Sequence, residues 1–434
     1  MTTVRLWWLL RRHESATTRL PGLLAVTAFA VATGSLLVAL GGVLAFRARV
    51  APGADPVHDP AYLYVVLAYI AAGLMAVPIL TLGGLAARLT VARRNARLAN
   101  LRLAGATSGQ TLAMTLLESA SQALLGGVAG IGLYAASLPL LARIPFDGKP
   151  FGVAPLWVGW GLALLVVLGV VALAVVSGAV SLAAVVVTPL GVSARTTPAK
   201  LSALRLLVFV VVLIGWVVAS RGVFGGGIAV VIGFLVAMVA AINVIGPWVM
   251  MLFGRAVAAT ASTPERLLAG RRIVDDPRSA WRASSTMGLT VMLAALAAVT
   301  SVIPDGAGDY PYVGTDMRMG ALITLAIVGL VAATSAGVVH ASRVIDQRLG
   351  YRALALAGCP PETLHRARLL EVVAPLLATF VLAGGVASLI LLPISMMGLQ
   401  VLVYFFGAVV ATAFLSVLGL WASRPLVTRA MALA

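Results

Sequence analysis

The sequence predicts an all-α integral membrane protein with ten transmembrane helices. Hydrophobic residues make up 61% of the 434 residues and charged residues only 10%, whereas ordinary soluble domains contain about 25% charged residues. Apolar stretches of about 20 residues, the length that crosses a bilayer as a helix, recur along the whole chain. A duplicated segment divides these helices into two similar halves.

The duplicated segment joins the second and third predicted helices of each half. Its first copy begins Leu101-Arg102-Leu103-Ala104-Gly105 and ends at Glu118, and its second copy begins Leu354-Ala355-Leu356-Ala357-Gly358 and ends at Glu371. The copies align without a gap, so that Gly358 stands 253 positions after Gly105. This agreement indicates a duplication. Each copy predicts a short cytoplasmic elbow between two membrane helices.

Ten apolar stretches define the predicted helices. The fifth is the shortest, whereas the third and fourth are longer than one crossing requires, which predicts tilt or extension into the cytoplasm. Prolines 78, 247 and 375 fall inside helices and are expected to kink them. The predicted helices cover residues 22–46, 62–87, 111–141, 155–187, 204–220, 228–253, 284–303, 320–342, 370–396 and 399–421.

The duplication and the N-terminal segment divide the chain into four parts. Each half contributes four helices, and the fifth and sixth helices form a hairpin inserted between the halves. The N-terminal part carries arginines and tryptophans, so it is expected either to lie in the membrane interface or to lead directly into the first helix. The parts are an N-terminal segment at 1–20, a first four-helix unit at 21–195, a linker hairpin at 196–267 and a second four-helix unit at 268–434.

The distribution of positive charge predicts the orientation. Of the 31 lysines and arginines, 25 fall in one set of alternating loops and the remaining 6 in the other. Because cytoplasmic loops carry the excess of positive charge, both termini and both elbows are expected in the cytoplasm. The net charge of +17 is explained in the same way and does not indicate nucleic-acid binding. The longest outer loops, at about 47–61 and 304–319, are too short for a folded domain.

The sequence offers little for catalysis or cofactor binding. It has no Gly-x-x-x-x-Gly-Lys-[Ser/Thr] motif, which would cradle the phosphates of ATP, and no His/Cys spacing typical of a metal site. The single cysteine, Cys359, cannot form an internal disulfide. We therefore expect no enzymatic activity and no cofactor in this chain.

Few polar groups occur within the predicted helices. Glu118 and Glu371 lie near the cytoplasmic ends of the third and ninth helices, and Asn243 is the main polar residue deep in the sixth. All three are candidates for a structural or gating role, and an interhelical hydrogen bond is the simpler reading of Asn243. Since ionisable residues in the membrane mark ion pathways, their scarcity argues against a proton-coupled pump. The energy for any transport is expected from a partner.

The elbows are the segments through which a partner could act. Gly105 and Gly358 permit a tight turn or a close approach, and the neighbouring Leu and Ala residues offer a small apolar face. This pattern favours a docking role over that of a plain connector. The arginines nearby could form salt bridges with a partner or contact anionic lipids. They are Arg97, Arg102, Arg352, Arg366 and Arg368.

These residues resemble a known family. The run from Leu101 to Gln110 is similar to the signature of FtsX-like permeases, usually Leu-Arg-Ala-Leu-Gly-Ala-Thr-x-x-Gln, and Arg271 to Leu289 resembles the family's basic entry into the first helix of a unit. The resemblance covers about 12–195 and 268–430. The second copy departs from the signature, with Cys359-Pro360-Pro361-Glu362 where Ala-Thr and Gln are usual.

The resemblance implies the permease of an ABC transporter of the MacB type, in a bacterial cytoplasmic membrane. In such a system an ATPase dimer, which holds ATP and Mg²⁺, docks beneath the elbows. Two units in one chain are similar to the ten-span permeases of the bacitracin-resistance type, but residues 304–319 replace their large extracellular domain. The residues expected to couple to the ATPase are Arg102, Leu103, Gly105, Ala106, Gln110, Arg352, Leu356, Gly358, Cys359 and Glu362.

The resemblance leads to one expected function and two alternatives. The expected function is export or extraction of a lipophilic compound or an antimicrobial peptide, driven by motion that the helices transmit from the ATPase. The alternatives are a signalling protein of the cell-division FtsX type and, with less support, a secondary transporter. Expected partners are the ABC ATPase dimer and membrane lipids, with a sensor kinase or another accessory membrane protein as a further candidate.

Overall fold

The computed structural model describes most of the predicted helices and none of the N-terminal segment before Ala16. The described residues are 16–51, 60–92, 107–186, 203–220, 228–300, 303–306, 311–346, 358, 361–395, 401–411 and 413–414. They are almost entirely helical, with one small two-stranded hairpin. The fold class predicted from the sequence, an all-α membrane protein, is therefore confirmed at this level.

We number the elements in chain order. The first half contains α1 Ala16–Arg47, α2 Pro60–Ala92, α3 Ser108–Leu141, β1 Pro145–Phe146, β2 Lys149–Pro150, α4 Val153–Leu156 and α5 Gly159–Val186. The linker pair is α6 Ala203–Ser220 and α7 Ile228–Ala259. The second half contains α8 Pro264–Asp275, α9 Pro277–Val299, α10 Val313–Asp346, α11 Pro361–Ser395 and α12 Val401–Ala411.

Eight of the stretches in the described residues are long and apolar enough to cross a membrane. They lie in α1, α2, α3, the α4–α5 region, α7, α9, α10 and α11. Two shorter apolar helices, Arg205–Val218 and Val401–Ala411, coincide with the predicted fifth and tenth helices. The count of ten spans stays a prediction, because these two segments are shorter than a full crossing.

The structure differs from the predicted boundaries in two places. Trp157 and Val158 interrupt the predicted fourth helix at 155–187, and a β-hairpin and the short α4 precede the interruption. The segment before the seventh helix contains α8, a polar helix of 12 residues that apolar length alone does not predict. Several helices also begin earlier than predicted, since their first turns are polar and carry no hydropathy signal.

The helix boundaries repeat with the spacing of the sequence duplication. Helix α10 begins at Val313, 253 positions after α2 at Pro60, and α11 begins at Pro361, 253 positions after α3 at Ser108. The segment between the third and fourth helices of each half does not repeat, because 142–158 is much longer than 396–400. The likeness between the halves thus extends from the elbows to the helices on either side of them.

Contacts between helices fix their relative directions. A Cβ at Gly130 would lie 2.7 Å from Thr33 Cβ, and the preceding Gly126 packs against Phe29, so α1 and α3 run parallel. Arg272 contacts Glu371 and Ser284 contacts Thr379, so the α8–α9 region and α11 are parallel as well. Tyr64 and Asp316, near the starts of α2 and α10, are hydrogen-bonded across the halves.

The two helices that precede the elbows end on the same side of the molecule. Helices α2 and α10 contact each other near their starts and run in the same direction, and they end at Ala92 and Asp346. We call the side at which they end the elbow face. The opposite side, which holds the β-hairpin and the described residues 303–306 and 311–312, is the hairpin face. The prediction that the elbow face is cytoplasmic is untested, since no membrane is present.

Candidate functional site

Most of the residues predicted to couple to an ATPase lie outside the described part of the structure. These are Arg102, Leu103, Gly105, Ala106, Arg352, Leu356 and Cys359. Glu362 lies in α11, but its side chain is also outside the described part. Only Gln110 and Gly358 can be examined, and the coupling role of the whole set stays a prediction.

Gln110 stabilises the start of α3, immediately after the first elbow. Its side-chain oxygen accepts a hydrogen bond from the Thr107 backbone N–H at 3.0 Å, and Thr107 Oγ1 accepts one from the Gln110 N–H at 3.3 Å. This reciprocal pair is a capping box, which satisfies two backbone donors that a helix start leaves free. The second copy has Pro361 at the start of α11, where its restricted φ suits the first helical position.

Gly358 ends the second elbow with a backbone conformation that suits glycine. Its φ of +85° is in the left-handed region, which other residues adopt only with strain. No heavy atom of the described residues lies within 4 Å of a Cβ added at Gly358. Glycine is therefore favoured here by its backbone conformation, and no described residue fills the space beside it.

Glu371, at the end of the second duplicated segment, forms an ion pair. Arg272 Nη1 of α8 lies 2.6 Å from Glu371 Oε1 of α11, and Glu371 is only 8% exposed. A charge in such a position needs a partner, because burial without one is costly. The pair therefore fixes α8 to α11 about ten residues beyond the elbow.

A second set of charges lies nearer the elbow between the same two helices. Hydrogen bonds from its own backbone N–H and from the Thr263 side chain lower the pKa of Glu265, and the positive charges of Arg366 and Arg266 lower it further. Arg366 belongs to α11, so the start of α11 lies near the start of α8, with a positive charge on one helix near a negative charge on the other.

Glu118 occupies the same position in the first half but has a different setting. Its Oε1 accepts a hydrogen bond from Gln122 Nε2 at 3.0 Å, one turn further along α3. The sequence position that corresponds to Arg272 holds Arg19, 253 positions earlier. The duplication therefore retains an acidic residue and an arginine at matching positions in both halves.

Asn243 makes the interhelical hydrogen bond expected from the sequence. Trp281 Nε1 of α9 donates to Asn243 Oδ1 of α7 at 3.3 Å. The Trp281 ring is buried and packs against Gly246, where an added Cβ would overlap it. The residue thus has a structural role in joining the linker pair to the second half.

Helix α8 is the main functional element that the sequence reasoning missed. It begins with Pro264 at its first position and ends at Asp275. The next residue is Asp276, whose Oδ1 accepts a hydrogen bond from the Ser279 N–H at 3.0 Å and so caps α9. Thr263-Pro264 and Asp276-Pro277 are recognisable helix starts. That signal was available, but the polar helix between the two prolines has no apolar stretch to draw attention to it.

The hairpin face carries a separate polar cluster centred on Asp316. Its Oδ2 accepts hydrogen bonds from Tyr64 Oη at 2.7 Å and from the Asp147 backbone N–H at 2.8 Å. Arg49 donates to the carbonyl oxygens of Phe146 and Lys149 at 2.6 and 2.7 Å. Burial lowers the pKa of Arg49, and the nearby carboxylates of Asp147 and Asp316 oppose that shift.

Aromatic side chains surround this cluster. Phe46 stacks on Tyr64 and contacts the rings of Phe146 and Phe151 edge-on, while the Arg49 guanidinium lies 3.8 Å from the centre of the Phe151 ring. Further along the chain, hydrogen bonds from the Thr315 backbone and side chain lower the pKa of Asp305. The described residues of the hairpin face are therefore joined by several local polar and aromatic contacts.

The described residues contain no group of three His, Cys, Asp or Glu side chains that could hold a metal ion. Comparison with protein-family models found no matching family, and comparison with curated proteins and with solved structures found no match either. The described contacts are of two kinds. The Arg272–Glu371 pair joins two parallel helices, and the hydrogen bonds of Asp316 join the halves on the hairpin face.

Proposed function

We propose that this chain is the permease subunit of an ABC transporter, driven by a separate ATPase that docks on the elbow face. The observation that carries the proposal is the ungapped duplication of the elbow sequence, together with helix starts that repeat at the same spacing of 253 residues. Two equivalent elbows on one face suit a dimeric partner, since a dimer presents the same surface twice.

The contacts near the second elbow support a route for motion. The elbow leads directly into α11, which the Arg272–Glu371 pair joins to α8. Helix α8 packs against α7 and continues, after the break at Asp276, into α9. A push on the elbow would therefore move α11, α8 and α9 together as one unit, rather than α11 alone.

The substrate in this proposal is a lipophilic compound or an antimicrobial peptide taken from the membrane or its outer surface. Two features support this class. The spanning helices are apolar and have few ionisable side chains among the described residues, which disfavours a polar conduction path. The loops on the hairpin face are short, so a large external binding domain is not available within them.

The test is affinity purification of the tagged chain from its native membrane, followed by mass spectrometry and an ATPase assay. We expect an ABC ATPase to copurify in a two-to-one ratio and to account for all ATP hydrolysis. A variant of that ATPase with its phosphate-loop lysine replaced should still bind this chain but should not hydrolyse ATP. Recovery of a cell-wall hydrolase system without transport, or of no ATPase, would contradict the proposal.

A further inference from the structure

The hairpin face joins the two halves through one buried carboxylate that the proposed function does not use. Asp316, in the first turn of α10, is 4% exposed. Both of its hydrogen-bond donors, Tyr64 Oη and the Asp147 N–H, belong to the first half, at 2.7 and 2.8 Å. A single side chain of the second half therefore holds two separate elements of the first, α2 and the β-hairpin.

The hairpin that carries the Asp147 N–H is held in place by contacts within the first half. Asp147 and Gly148 have φ values of +53° and +67° and connect two paired strands, as in the two-residue turns of tight hairpins. Arg49, just beyond the end of α1, binds a carbonyl oxygen on each strand. The hairpin is thus fixed to α1, and we expect it to move together with the first half.

A second contact between the halves touches the same turn. The ring of Tyr312 lies 3.0 Å from the position that a Cβ of Gly148 would occupy, so a side chain there would displace it. Tyr312 is about half exposed, which places this contact at the rim of the cluster. The hairpin therefore receives two groups from the second half, one polar and buried, the other aromatic and at the surface.

The remaining contact between the halves is of a different kind. Helix α10 packs against α1 and α2 through mainly apolar residues such as Leu82, Val328 and Val331. Apolar packing is not directional, so it permits helices to slide or rotate against each other more readily than hydrogen bonds do. The Asp316 bonds are directional, and water can replace them when the contact opens.

From these observations we propose that Asp316, Tyr64 and Asp147 form a latch that holds the halves closed at the hairpin face. The latch opens when α10 moves away from α1 and α2 at that face. The proposal concerns the chain alone and does not depend on an ATPase. Its opening would expose the buried ends of α2 and α10 while the elbow face stays assembled.

The latch can be tested by measuring spin-label distances in the purified chain, with Cys359→Ser as the background. One label pair, at Val153→Cys and Pro311→Cys, spans the halves on the hairpin face, where both positions are exposed. A control pair, at Gly109→Cys and Leu369→Cys, spans them on the elbow face at exposed positions. The variants are Asp316→Ala, Asp316→Asn and Tyr64→Phe, the last two being conservative in shape.

We expect one narrow distance for the hairpin-face pair in the unmodified latch. Tyr64→Phe and Asp316→Ala should each raise the ratio of long to short distances by about tenfold or more, the effect of losing a hydrogen bond to a charged group. Combining the two changes should add little to Asp316→Ala, because both remove the same bond. The elbow-face distances should not change.

Asp316→Asn keeps an acceptor oxygen and should fall between the wild type and Asp316→Ala, which keeps the test informative if the alanine variant does not fold. An unchanged hairpin-face distance in Tyr64→Phe and Asp316→Asn would overturn the proposal. Equal broadening at both faces would also overturn it, since that result indicates general loosening instead of a local latch.

Discussion

Glu371 shows how one residue can link an elbow to the helices behind it. Its carboxylate is buried beside Arg272, and a partly buried ion pair of this kind is held chiefly because breaking it leaves a charge without a partner. The pair lies between α8 and α11, both of which begin on the elbow face. In the proposed function the pair would make α8 and α11 move together when one of them is displaced.

Removal of either partner should therefore weaken the link. We expect Glu371→Gln to lower the free energy of unfolding by about 1–3 kcal/mol, because Arg272 keeps its charge in a partly buried position. Arg272→Gln should have a similar effect. The double variant should lose less free energy of unfolding than the sum of the losses in the two single variants. A double-mutant cycle by thermal unfolding in detergent measures this coupling. Strict additivity of the two changes would mean that the pair contributes nothing.

At the scale of elements, helices α1 and α3 pack closely through two glycines. Gly126 and Gly130 are one turn apart and lie against Phe29, Thr33 and Gly34, with hardly any space for a side chain. Small residues at this spacing let membrane helices approach closely, where packing supplies most of the association energy. Gly132, on another face of the same helix, has open space beside it.

This difference gives a matched pair of substitutions. Gly130→Leu should separate α1 from α3 and destabilise the first half by about 1–3 kcal/mol or more, as overpacking does. Gly132→Leu adds the same side chain to the same helix and should have little effect, since it meets no neighbour. Thermal unfolding of the two purified variants checks the expectation. Equal destabilisation by both would contradict the close packing described above.

The elements differ in how far the sequence predicts them. The spanning helices follow from apolar length. Their exact starts do not: apolar length predicts starts at 62 and 320, whereas α2 and α10 begin at Pro60 and Val313, at the spacing of the duplication. The Asp147-Gly148 turn and the Thr263-Pro264 start of α8 have local signals, but these signals are short and were not recognised. A hydropathy pattern also cannot give the partners of Glu371 and Asp316, because each partner is distant in sequence and is brought near only by helix packing.

At the scale of the whole molecule, the chain has two similar halves with different contacts at its two faces. The elbow face carries the charged contact between α8 and α11, and the hairpin face carries the polar contact between α2, the β-hairpin and α10. Between these faces the helices pack through small apolar side chains. In the proposed transporter, this arrangement would let a displacement of helices at one face change the contacts at the other face.

If an ATPase docks on the two elbows, as we propose, bulky residues in the elbows should prevent its binding. The measurement is recovery of the ATPase with the purified Gly105→Trp/Gly358→Trp variant. Each tryptophan should cost about 1–3 kcal/mol of docking energy through overpacking, which corresponds to a change of about fivefold to more than a hundredfold in affinity. Gly105 lies outside the described residues, and Gly358 has open space beside it.

Two controls separate docking from backbone strain. Gly358→Ala imposes the strain of a φ of +85° without the bulk, and Gly152→Trp imposes both strain and bulk at a glycine with a φ of +75° and open space on the hairpin face. Both controls should retain the ATPase, whereas the double tryptophan variant should lose it and still elute as a folded protein. Stoichiometric ATPase and wild-type ATP-dependent activity in the double variant would contradict the claim.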